Sequence, residues 1–121
     1  MTGEARTGPG RTIPRPGLVR VRGRSMEPTL RDGDVLLVVH GLAPRPGSVA
    51  VVRLPPDAQG RPRPVAVKRV TGPDPDEPGR WWIDSDNAAE GVTSFDIGSL
   101  APQDVLARVV GRVHRARRPP A

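Results

Sequence analysis

The chain has no cysteine, one lysine and 2% aromatic residues, namely Trp81, Trp82 and Phe95. Without cysteine there is no disulfide, no thiol nucleophile and no cysteine-based zinc or iron–sulfur site, which is compatible with a cytoplasmic location. No apolar run approaches the roughly 18 residues of a membrane-spanning helix. Residues 1–17 have no apolar centre and do not read as a secretory signal peptide. With so few aromatics, a core has to rest on Val, Leu, Ile and Ala.

A length of 121 residues fits one domain with a modest core. The 16 prolines and 14 glycines gather at the N-terminus, in three loops and at the C-terminal tip, so the apolar segments between them escape that bias. The formal charge of +6 raises nucleic acid or an acidic membrane surface as a partner. The arginines are dispersed, however, apart from Arg112, Arg115, Arg117 and Arg118, and no helix-turn-helix, zinc-finger or aromatic RNA-binding pattern is present. A dedicated nucleic-acid function is therefore not expected.

Strand patterns dominate. Leu18–Arg22 alternates apolar and basic residues. Asp32-Gly33-Asp34 makes a turn into the apolar run Val35–Val39, and Val49–Leu54 follows the loop from Gly41 to Gly47. A proline-rich connection, Pro55–Pro64, leads to Val65–Thr71. After an acidic loop come Arg80–Asp84, an irregular stretch from Ser85 to Asp104 with one helical turn near Pro102, and a last strand, Val105–Val113. The expectation is a small all-β single domain of coiled antiparallel sheets or a partly open barrel. A disordered lead is expected over 1–17 and a basic tail over 115–121.

Lys68 stands out because every other side chain among the 19 Lys+Arg is arginine. A guanidinium stays protonated in a protein, whereas a desolvated amine can lose its proton and act as a base. Lys68 lies in Val65-Ala-Val-Lys-Arg-Val70, and period-two alternation puts it on one face with Ala66 and Val70. About forty residues upstream, Ser25 lies in Gly23-Arg-Ser-Met-Glu-Pro-Thr-Leu30. Gly23 permits a tight bend and Pro28 stiffens the next turn, which can expose the hydroxyl and aim the Ser25 amide at a developing oxyanion. A serine and a lone lysine so placed point to a Ser–Lys dyad. His40 and His114 have no distinctive carboxylate partner for a triad, and two histidines without cysteine give thin support for a metal site. Asp84-Ser-Asp-Asn87 and Thr93-Ser-Phe-Asp96 read locally as turn formers.

Taken together, Val19 to Val113 resembles the signal-peptidase-like serine proteases that use a Ser–Lys dyad. Ser25-Met-Glu-Pro-Thr-Leu30 resembles the nucleophile box and Val67-Lys68-Arg69-Val70 the lysine box. Trp82-Ile-Asp-Ser-Asp86-Asn87 is similar to the family's Gly-Asp-Asn box, and Ser94-Phe-Asp96 to its Ser-x-Asp box. The resemblance implies a serine endopeptidase domain over 18–114, with Ser25 and Lys68 catalytic. It further implies that Ser94 orients the Lys68 amine, that Asp86 and Asp96 support the loop, and that Gly23 and Met26 belong to the oxyanion and substrate loop. No cofactor or metal enters this chemistry.

Four departures shape that reading. The membrane anchor of signal peptidases is not seen, Ser85 stands where glycine is usual, Gly98 stands where an arginine often pairs with the Asp96 position, and the spacing from Asn87 to Ser94 is longer than usual. Small size, the Trp-Trp strand and that spacing are similar to the maturation proteases of nickel-type superoxide dismutase. The implied partner is a protein substrate with an N-terminal leader peptide, and nickel would belong to that substrate. Alternatives are a general signal-peptidase-like enzyme or a LexA-type self-cleaving domain, although residues 1–24 hold no Ala-Gly or Cys-Gly bond. A further alternative is a non-catalytic basic β-domain that binds peptide or nucleic acid.

Overall fold

The computed structural model describes residues 13–117. Six strands follow in chain order: β1 (Arg15–Arg20), β2 (Val35–His40), β3 (Val49–Val52), β4 (Ala66–Pro73), β5 (Trp81–Asp84) and β6 (Val105–His114). A four-residue helix, α1 (Ser94–Ile97), and a 3-10 turn at Pro102–Asp104 lie between β5 and β6. The strands make one antiparallel sheet in the order β1-β2-β6-β3-β4-β5. The all-β class is thus observed as a single open sheet with β1 and β5 at its edges.

β1 starts at Arg15, inside the segment expected to be a disordered lead, because Arg15 already pairs with His40. Residues 1–12 of that lead and 118–121 of the basic tail lie outside the described residues. The irregular stretch after β5 holds one element that local pattern did not show. Thr93 caps α1 by accepting from the Phe95 N–H, and Asp96 accepts in return from the Thr93 N–H.

β3 explains how a core can form without aromatics. Its residues are buried on both faces, so it joins two apolar clusters. Val51 belongs to a cluster with Val21, Met26, Leu30, Leu36, Val38 and Ala107. Ala50 and Val52 belong to a second cluster with Leu54, Val70, Ile83, Leu100 and Val105. The β-branched side chains that dominate these clusters suit a pleated, packed surface. The few aromatics sit at the margin: Trp82 meets the 80% exposed Phe95 edge-to-face, with ring centroids 5.3 Å apart.

Candidate active site

Ser25 sits on an excursion between β1 and β2. The base of that loop is closed by the Val21 N–H donating to Asp34 O and the Gly33 N–H donating to Val21 O. Gly23 holds φ +81, a left-handed conformation that favours glycine, and its N–H donates to Asp32 Oδ1 at 2.7 Å. Two turns follow, from the Glu27 N–H to Arg24 O and from the Leu30 N–H to Met26 O. Met26 was expected to serve the substrate loop. Its side chain is instead 1% exposed and packs in the core, where burial of a methionine contributes about 1.5–3 kcal/mol. It anchors the chain beside Ser25. The Ser25 N–H has no acceptor among the described residues.

Lys68 is 2% exposed and shares its face of β4 with the half-buried Ala66 and the buried Val70. Burial pushes its amine below the usual lysine range, while the charges of Asp84 and Asp96 oppose that shift. The last β4–β5 pair is Arg69 with Asp84, so the next residues, Lys68 and Ser85, stand opposite one another on one face. Lys68 Nζ donates to Ser85 Oγ at 2.9 Å. Gly91 (φ +82) closes the site. A Cβ built on it would stand 2.6 Å from Lys68 Nζ, 2.8 Å from Ser25 Cβ and 3.1 Å from Ser85 Oγ. Ser25 and Lys68 therefore converge on one point, although no direct hydrogen bond joins them among the described residues.

The acidic residues are committed to scaffolding. Asp86 takes a two-pronged ion pair from Arg69, at 3.1 Å from Nε and 2.6 Å from a terminal nitrogen. Those hydrogen bonds hold its carboxyl below the usual range; burial opposes the shift and Thr29 on the Ser25 loop adds to it. Asn87 clamps the same loop. Its side-chain amide donates to Arg24 O at 3.0 Å, and its backbone N–H donates to Ser25 O at 2.8 Å. Asp96, besides its charge near Lys68, is used in capping α1.

Ser94 is buried, but its Oγ accepts from the Ile83 N–H at 2.8 Å, and no hydrogen bond joins it to Lys68 among the described residues. The contact expected of Ser94 is made by Ser85. Neither His40, at the end of β2 away from the loop, nor the exposed His114 bonds to Ser25. Among the described residues no group of three or more His, Cys, Asp or Glu could hold a metal ion.

The C-terminal segment buttresses the loop from below, a contact that sequence pattern did not reveal. Asp34 is fully buried and accepts from the Ala116 N–H at 2.6 Å and the Arg31 N–H at 2.9 Å. Arg115 lies 3.8 Å from the same carboxylate and donates to Thr29 O at 3.0 Å. A cavity of about 710 Å³ beside the loop is lined by Arg24, Glu27, Arg31, Asp32, Arg115 and Arg117, among others.

Residues 13–113 match the Peptidase S24-like family. The chain belongs to that family. That family lies in the LexA-like and signal-peptidase-like serine protease superfamily, which holds serine peptidases and LexA-like self-cleaving proteins. A search of curated proteins finds no match. No helix among the described residues is long and apolar enough to cross a membrane.

Proposed function

We propose that this Peptidase S24-like chain is a cytoplasmic endopeptidase that uses Ser25 and Lys68 as a catalytic dyad. In this reading it removes an N-terminal leader peptide from a substrate protein, the nickel superoxide dismutase precursor. The observation that carries the dyad is the convergence of Ser25 Cβ and the buried Lys68 Nζ on Gly91. The substrate is supported by the sequence resemblance alone.

Neutral Lys68 Nζ takes the proton from Ser25 Oγ as that oxygen attacks the scissile carbonyl carbon. In this reading the Ser25 N–H, which has no acceptor among the described residues, donates to the developing oxyanion. Collapse of the tetrahedral adduct breaks the C–N bond, and the leaving amine takes the Ser25 proton from Lys68. Neutral Lys68 then deprotonates a water that attacks the acyl-enzyme carbonyl, and it passes that proton to Ser25 Oγ as the ester C–O bond breaks. Asp86 and Asn87 keep the Ser25 loop against β4 throughout. Gly23 offers no side-chain donor to the oxyanion and its N–H is committed to Asp32, so the hole has few donors, each worth about 2.7–4 kcal/mol. Incubation with the leader-bearing precursor tests the substrate. The mature N-terminus should appear with the wild-type chain and be missing with Ser25→Ala. An uncut precursor would refute that substrate.

A further inference from the structure

We propose that the Ser85 hydroxyl orients the Lys68 amine toward Ser25, making Ser85 rather than Ser94 the positioning residue of the dyad. The inference rests on the Ser–Lys reading above and deepens it. Three observations lead to it. The β4–β5 register sets Lys68 and Ser85 side by side, and their polar atoms lie 2.9 Å apart in a buried setting. Ser94 Oγ is engaged elsewhere, on the Ile83 N–H. Gly91 lies against both groups, since a Cβ built on it would stand 2.6 Å from Lys68 Nζ, 3.1 Å from Ser85 Oγ and 2.8 Å from Ser25 Cβ, so the amine, the Ser85 hydroxyl and Ser25 crowd one small space.

The chemistry suits a hydroxyl. An amine on a four-carbon stem rotates freely, and apolar neighbours such as Ala66 and Val70 give it no preferred direction. Ser85 Oγ accepts one N–H and so fixes that rotation, leaving the nitrogen lone pair free for the Ser25 proton. When the Ser25 O–H bond breaks and a new N–H bond forms, the hydroxyl goes on accepting from the resulting ammonium. No co-reactant is required. A carboxylate at the same point would hold the amine protonated and disable it as a base.

The single lysine makes a direct test available, because lysine carrying 13C and 15N labels gives one side-chain signal whose titration reports Lys68 alone. Ser85→Ala removes an acceptor of the ammonium, so the Lys68 midpoint should move to lower pH. Peptidase kcat should fall by about 100-fold, as expected for a misaligned reacting group, and its rising pH limb should move with the NMR midpoint. KM should be little changed. Ser94→Ala should lower the melting temperature through the lost Ile83 contact and leave the Lys68 titration in place. An unmoved Lys68 midpoint in Ser85→Ala, or a shift seen in Ser94→Ala instead, would overturn the assignment. The titration needs no turnover, so it separates this inference from the dyad itself, which full activity in Lys68→Arg would refute.

Discussion

Gly91 offers the sharpest perturbation of the site. Alanine there acts in two ways that can be separated. First, φ +82 is unfavourable for a residue with a Cβ, at about 1–3 kcal/mol. Second, the new methyl would meet Lys68 Nζ at 2.6 Å and Ser25 Cβ at 2.8 Å, so both must retreat. Displacing the amine breaks its bond to Ser85 and leaves a buried polar group unpartnered, at about a further 1–3 kcal/mol. A movement of about 1 Å at a reacting group costs on the order of 100-fold in rate. Gly79 supplies the control, because it has φ +88 but nothing within 4 Å of a built Cβ. Urea melts and peptide-cleavage rates of Gly91→Ala and Gly79→Ala, measured where both are folded, distinguish the two effects. Both should lose stability, Gly91→Ala more, and only Gly91→Ala should lose activity. Wild-type activity in Gly91→Ala would refute the placement of Gly91 between the nucleophile and the base.

The buried lysine and the buried Asp34 both make folding stability rise with pH, in different ranges. The folded amine of Lys68 lies below its ordinary value, so folding gains as pH rises from the folded value to the ordinary lysine value and levels off above it. Lys68→Met should therefore melt higher than wild type near neutral pH, with the difference shrinking at alkaline pH, while cleavage is abolished. A mutant that melts lower at every pH would show a charged, paired lysine instead. For Asp34, burial pushes the carboxyl up, but the Arg31 and Ala116 N–H groups and the Arg115 and Arg112 charges outweigh it, so the folded value is lowered. Its stabilisation is present above the ordinary carboxylate range and is lost as pH falls through the folded value. Asp34→Asn should cost about 1–3 kcal/mol at neutral pH and flatten the acid limb of the melting profile; an unchanged acid limb would contradict that account.

The strands were legible because period-two alternation and β-branched runs are local properties. Val35–Val39, Val49–Leu54 and Val105–Val113 differ from the observed β2, β3 and β6 by two residues or fewer at each end. Lys68 was legible because one lysine among arginines needs no three-dimensional information. The pairing of Lys68 with Ser85 was not. It depends on the β4–β5 register, which includes an irregularity between Val70 and Gly72 that no alternation pattern reveals. Gly91 was equally hidden, since a glycine in a polar loop reads as a turn until its neighbours are known. The seat of Asp34 on Ala116 and Arg115 joins residues more than eighty positions apart, beyond the reach of local pattern. The resemblance implied Met26 in the oxyanion and substrate loop; its backbone lies on the Ser25 loop, while its side chain packs in the core, a burial that no local pattern shows.

The central claim is that Ser25 attacks and Lys68 removes its proton. The most direct measurement compares wild type, Ser25→Ala and Lys68→Arg on a broad peptide library, with cleavage read by mass spectrometry and folding checked by melting. The account predicts internal cleavage by wild type, on a rate that rises with pH to a plateau, and none by either variant while both remain folded. Lys68→Arg keeps a positive charge at that position but cannot give up a proton, so cleavage retained by folded Lys68→Arg would contradict the dyad outright.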